Sequence, residues 1–416
     1  MANTYKKILS DERNLRYIIL ANMISRFGDS IDMIAYSWMV YQITGSMTWL
    51  TIILGVNMMP TVFLQPFFGG LTEYFNKKRI IVLCDILRGG IVFITCIALF
   101  LNAVSPWKLL VLTLLNSSIE ALRIPSGIAI LPKILKEKNY KEAVSLDQGV
   151  RKISELIGTG CAGIVIGYIG IGGALLIDAI TFIVSGFILS FLKMHNEKIT
   201  NNKFQFDEYM QSLKEGIAYF KKNNLARVTC AVCIILNLVM LPIENLQAAY
   251  INEHLKLDVF AMSVGGLAIT IGMICGPLFL PKVLQKIKEK HLMIYGGILI
   301  GFLYFIYISL GELASLEGKY ISYFIAAFAF GFINSMIGVA VQIIFISQTP
   351  EELIGRISGI FNALACSSMP IGSYLLAIFS TMFTIREIYL LMGFFTIVVF
   401  VIMGRTKYIN SLKSEN

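Results

Sequence analysis

Charge is scarce in this chain: Asp, Glu, Lys and Arg make up 15% of its 416 residues, against about a quarter in ordinary soluble domains. Histidine is nearly absent. The three present, His195, His254 and His291, fall at loop or helix-end positions with no clustered ligands, so metal or acid-base catalysis lacks its usual residues. No G-x-x-x-x-G-K-[ST] loop occurs and no loop could hold a nucleotide-binding domain, so hydrolytic energy would have to come from a separate subunit. Neither a catalytic site, a metal nor a cofactor is expected. All seven cysteines (84, 96, 161, 230, 233, 275 and 366) lie inside apolar stretches. Cys230-x-x-Cys233 has no His or second Cys pair nearby, which favours packing over metal or redox chemistry.

What the chain has in quantity is apolar sequence: 56% of positions are hydrophobic and the mean hydropathy is +0.73. Runs of about twenty apolar residues, each long enough to cross a hydrocarbon core of roughly 30 Å as a helix, recur at 17–41, 47–71, 80–102, 107–131, 145–169, 172–193, 225–251, 259–281, 291–311, 320–347, 353–380 and 385–404. Twelve transmembrane helices are expected. Barrel strands would need alternating polarity, and these runs are apolar on nearly all faces. Lys6, Lys7, Arg13 and Arg16 precede the first run, but no small-residue cleavage site follows it, so it is expected to stay in the protein.

The net charge of +9 is unevenly placed: with the first and last four positions of each run counted with the adjoining loop, 26 of 35 Lys and Arg fall in one alternate set of loops and tails, 4 in the other (Lys108, Lys256, Lys319, Arg386) and 5 within spans. The positive-inside rule then puts both termini in the cytoplasm of a multi-pass protein of the inner or plasma membrane. Short basic loops without interleaved aromatics do not suit nucleic acid. The expected partners are the lipid bilayer and a small-molecule substrate.

The longest polar connection divides the chain into a six-helix half at 1–194, a linker at 195–224 and a second six-helix half at 225–416. Within the linker Phe206, Met210, Leu213, Ile217 and Phe220 recur at helical spacing among charges, the pattern of an amphipathic surface helix or of a simple cap on the bundle.

Between spans two and three the chain reads Gly69-Gly70-Leu71-Thr72-Glu73-Tyr74-Phe75-Asn76-Lys77-Lys78-Arg79, with Asp85 and Arg88 following inside the span. This resembles the major facilitator superfamily signature G-x-L-(a)-D-(r)-x-(G)-(r)-(K/R)-(r/k), carried by Gly70, Leu71, Lys78 and Arg79. Glu73 stands in for the usual Asp, and Asn76, which tolerates a left-handed backbone, for the second Gly. The resemblance implies a substrate site near the bilayer midplane between two six-helix halves. At the helix end, a close approach and a breakable ion pair would form a conformational gate; the alternative is a static topogenic cluster.

Span one holds Arg26, Asp29 and Asp32 in its first half, and each such charge costs roughly 2.5–3.5 kcal/mol at a helix centre. Their spacing places them along one face. Either Arg26 pairs with Asp29 and Asp32 is merely hydrated, or one carboxylate carries protons, in which case Asp32, deeper and further from Arg26, is the better carrier. Opposite charges three or four apart, Glu120/Arg123, Asp147/Arg151 and Arg151/Glu155, are expected to pair within their helices. Glu120 and Glu244, nearer mid-span in apolar surroundings, are candidates for a cationic substrate or for protons. Arg123 is available to neutralise Glu120; Glu244 has no such cation on its helix.

Span five carries a small-residue stripe from Gly158 to Gly167 that permits close helix contact and resembles in position the Gly-rich motif of drug antiporters, with Thr159 where Pro is usual. Three further stretches, Phe27–Ser46, Gly172–Phe182 and Pro350–Ser373, are similar to the drug:proton antiporter branch that includes macrolide efflux proteins. In that resemblance Asp178 and Arg356 are architectural. It implies proton-driven export of hydrophobic or amphiphilic compounds by alternating access, with Trp38, Met58, Asn237 and Gln342 as candidates for the substrate cavity. Two other readings stay open: a nutrient facilitator or importer, and a membrane sensor or partner subunit without transport.

Overall fold

A computed structural model describes residues 12–71, 75–134, 140–193, 223–347 and 354–405. The segment of the amphipathic linker pattern, 206–220, and the gate carboxylate Glu73 lie outside the described residues. The first part of the chain folds as α1 (Arg13–Thr44), α2 (Met47–Phe63), α3 (Gln65–Leu71), α4 (Lys77–Phe100), α5 (Pro106–Ile134) and α6 (Tyr140–Ser190). The second part folds as α7 (Asn224–Asn245), the short α8 (Gln247–Ala249) with a π-helical turn at Tyr250–Leu255, α9 (Phe260–Leu284), α10 (Glu289–Ser309), α11 (Leu316–Ser347), α12 (Ile354–Met382) and α13 (Ile385–Arg405). Helices are the form in which an apolar segment satisfies every backbone N–H and C=O without water.

Among the described residues ten helices are long and apolar enough to cross a membrane, α2 and α3 together supplying one of them. The expected twelve are reached through two elements. The charges of α1 lower its hydropathy, and α6, with 51 residues, would be about 75 Å long if straight, over twice the hydrocarbon thickness. It is not straight. Gly170, at φ 73° and ψ 175°, breaks the helical path in a backbone region that side chains with a Cβ rarely adopt. Gly158 and Asp178, on opposite sides of that break, both pack against the Phe27–Ser30 turn of α1, which two points twenty residues apart on one straight helix cannot do. Residues 145–169 and 172–193 are therefore a hairpin of two spans broken at one non-helical residue, Gly170, with no intervening polar loop.

Described residues up to 193, apart from 50–55, form one compact unit; 50–55 and the described residues from 223 onward form another. In the first, Leu15, Ile18 and Ala21 of α1 meet Ile81 of α4, Ile130 and Leu131 of α5, and Leu189 of α6 in an apolar core. In the second, five fully buried tyrosines, Tyr250, Tyr304, Tyr307, Tyr323 and Tyr389, gather around the π-helical turn. The Tyr250 and Tyr389 rings stack at 5.0 Å. Buried phenols need acceptors, and Tyr250 Oη donates to the Tyr307 carbonyl at 2.7 Å. Cys230 joins Ala226 and Phe345 in an apolar cluster, and no group able to hold a metal ion occurs among the described residues.

Candidate functional site: a buried charge network

The charges of the first unit meet between helices. Arg123 of α5 donates through Nε to Asp85 Oδ1 of α4 at 3.0 Å and through Nη2 to Asn22 Oδ1 of α1 at 3.0 Å. Asp85, whose side chain is 1% exposed, accepts from Ser185 Oγ of α6 at 2.7 Å. Asn22 passes the network on, its Nδ2 donating to Asp147 Oδ1 at 2.8 Å. Arg151 Nε donates to the other oxygen of Asp147 at 2.9 Å. One chain of charge-assisted bonds thus ties α1, α4, α5 and both arms of α6 together.

A second group surrounds Arg88 of α4. Its Nη2 lies 3.1 Å from Asp29 Oδ1 of α1 and 3.4 Å from Glu120 Oε2 of α5. Its Nε donates to Asn116 Oδ1 at 3.3 Å, and its guanidinium sits 4.2 Å from the Phe182 ring centroid of α6. A third group joins Arg26 Nη2 of α1 to Glu155 Oε2 of α6 at 2.9 Å, with Lys152 Nζ on Glu155 Oε1 at 2.6 Å. Opposite charge and hydrogen bonding offset the cost of taking the first two groups out of water, while Arg26 and Lys152 in the third keep 42% side-chain exposure.

The pairing differs from that expected within single helices. Asp147 and Arg151 do pair, but Arg123 turns from Glu120 to Asp85, Glu120 goes to Arg88, Glu155 goes to Arg26 and Lys152, and Asp29 goes to Arg88. Lys152 apart, which pairs with Glu155 on its own helix, the diverted charges find partners of opposite sign on a facing helix, where packing brings the two side chains together. Asp32 stands apart, its Oδ1 buried without a hydrogen-bond partner.

Around the gate motif, Asn76 is not left-handed. It has extended backbone (φ −67°, ψ 107°) and caps α4, its side chain accepting from the Arg79 N–H at 3.0 Å. Its role at that position is to satisfy a free helix N–H. Lys78 is half-buried and Arg79 exposed; Gly70 and Leu71 belong to α3. Of the cavity candidates, Trp38 is buried and Met58 half-buried in the first unit, and Gln342 is exposed in the second. Asn237 Nδ2 is committed to the Ala365 carbonyl at 2.9 Å, tying α7 to α12. Glu244 is exposed on α7. Asn22, Asn116, Ser185 and Phe182 are members of the network beyond those expected from the sequence. The first three carried a usable signal, since they are polar groups in apolar spans; Phe182 carried none.

This is the architecture of a multi-pass α-helical membrane protein with a polar interior in its first unit. Residues 18–373 match the Major Facilitator Superfamily, and the chain belongs to that superfamily. It is 24% identical over 369 residues to an uncharacterized MFS-type transporter, YvqJ, of Bacillus subtilis, covering 87% of this chain and 85% of that one. It is 20% identical over 367 residues to the multidrug efflux pump Tap of Mycobacterium tuberculosis, covering 85% and 84%. Among solved structures it is similar in fold to the nucleoside transporter NupG, with TM-score 0.76, 12% identity, and coverage of 96% of this chain and 100% of that one. It is also similar to a bacterial homologue of the iron transporter ferroportin in its inward-facing state, with TM-score 0.70, 13% identity and coverage of 95% and 99%. The protein is a transporter, not an enzyme, and resides in the cell membrane.

Proposed function

We propose that this transporter exports hydrophobic or amphiphilic compounds, macrolide-like drugs or other antibiotics among them, in exchange for protons, by alternating access. The observation that carries the proton arm is Asp32. On a helix whose neighbouring charges, Arg26 and Asp29, are both engaged in ion pairs, it keeps a buried oxygen without a partner. A carboxylate in that position is costly, and a proton relieves the cost. The export arm is supported by the likeness to a pump named for multidrug efflux, which extends over most of both chains. Asp29, Glu120 and Glu244 are the other carboxylates proposed to take part, with Arg26, Arg123 and Arg151 as charge partners. In this reading Gly70, Leu71, Glu73, Lys78, Arg79, Asp85 and Arg88 form the gate, both termini are cytoplasmic, and 195–224 links two six-helix domains.

The test is accumulation of a panel of fluorescent or radiolabelled hydrophobic drugs, macrolides included, in cells expressing wild-type protein or Asp32→Asn, with and without a protonophore. Lower accumulation in wild-type cells, abolished both by the substitution and by the protonophore, is the expected result. Unchanged accumulation for every compound would overturn the export reading and favour saturable nutrient uptake or a role without transport.

A further inference from the structure

Asp178, expected to be architectural, is 1% exposed and its Oδ2 has no hydrogen-bond partner. Its neighbours account for the other oxygen only: Thr181 Oγ1 lies 3.4 Å from Oδ1, and that hydroxyl donates more closely to the Asp178 carbonyl, at 2.8 Å. Asp178 presses against α1 at Gly28. A Cβ on that glycine would sit 2.5 Å from Asp178 Oδ1 and would collide with Thr181 Oγ1. Asp32 lies one turn further along α1, on the same face as Gly28, and it too has a buried orphan oxygen.

The charges around this point do not balance. Asp29, Asp32, Asp178 and Glu120 are four carboxyl groups, and two cations bear on them: Arg88, and Arg26, which acts on Asp29 and Glu120 while paired with Glu155. Arg123 is held by Asp85, Arg26 by Glu155 and Arg151 by Asp147. The charges bearing on Asp178 are Asp32 and Asp29, which repel it, and Arg88, which attracts it. Arg88 already touches Asp29 and Glu120. Asp178 is buried and Asp32 half-buried, and two carboxylates with orphan oxygens on helices in contact each disfavour the other's ionised form. A metal ion does not fit, because no three acidic, histidine or cysteine side chains converge at ligand spacing among the described residues. A proton does fit: it removes the charge of one carboxyl and gives it an O–H to donate.

We propose that Asp178 and Asp32 form an acid pair sharing one proton, which makes Asp178 a second residue of the proton path. The role of the pair in transport rests on the proton-coupled reading above; its existence does not.

The proton is read directly by infrared spectroscopy of the purified full-length protein, with isotope-labelled aspartate identifying the carbonyl band of a protonated Asp. Wild-type protein at neutral pH is expected to show one such band, lost in Asp178→Asn and in Asp32→Asn alike, with the double variant losing nothing further. Persistence of the band in Asp178→Asn overturns the pair. So does loss of two separate bands in the double variant. If a variant fails to fold, the wild-type spectrum still decides: absence of any protonated aspartate band overturns the proposal. Drug accumulation measured on the same variants separates the two claims. A shared band with no drug efflux in wild-type cells sinks the transport reading and keeps the pair; efflux without the band does the reverse.

Discussion

At the scale of single residues, the first unit is organised by charge pairs that leave their own helix. Arg123→Leu removes one partner of a buried pair and leaves Asp85 uncompensated, at a cost of about 3–5 kcal/mol. The expected outcome is a large loss of thermal stability in detergent, followed by size-exclusion monodispersity, which Asp85→Asn in the same chain largely restores. A single variant as stable as wild type would show that the pair is not buried in solution. The sequence made these charges conspicuous but not their partners. Glu120 and Arg123 have helical spacing, and only the packing of α4 against α5 diverts Arg123 to Asp85 and Glu120 to Arg88. Asn76 departs from its expected conformation for a related reason. Its family position suggested a left-handed turn, whereas the exposed N–H groups at the start of α4 call for an acceptor. Asn76→Ala is expected to cost about 1 kcal/mol and Asn76→Gly only a few tenths, with faster amide exchange in the first turn of α4. Stabilisation by Gly would instead restore the left-handed reading.

At the scale of elements, glycines set how closely helices approach. A Cβ on Gly158 would sit 2.7 Å from the Phe27 carbonyl, while around Gly167 there is open space. Gly158→Leu is therefore expected to lower stability by about 1–3 kcal/mol through overpacking, and Gly167→Leu to leave it unchanged, both measured by thermal unfolding. Equal effects would mean that the stripe does not pack against α1. The small-residue pattern was legible along the whole of 158–167, but which of its glycines meets a neighbour depends on the rotation of α6. That rotation is not encoded in periodicity when nearly every face is apolar.

At the scale of the whole molecule, the twelve spans follow from length and hydropathy alone, because lipid demands helices of a minimum length. Two of them do not stand out as separate apolar helices in the structure, one because of its charges and one because no loop interrupts α6. The distribution of Lys and Arg carries a further expectation: a cysteine introduced at either terminus should be shielded from a membrane-impermeant thiol reagent in intact cells and labelled after permeabilisation. Labelling in intact cells would reverse the orientation. The break at Gly170 has a mechanical corollary. Two rods tied by a link that spans at most about 3.6 Å behave like tweezers: their joined ends stay together, and any spreading grows with distance from the tie. The widest excursion available to this pair is at the ends that hold Asp147 and Ser185, where the charge network clasps both arms.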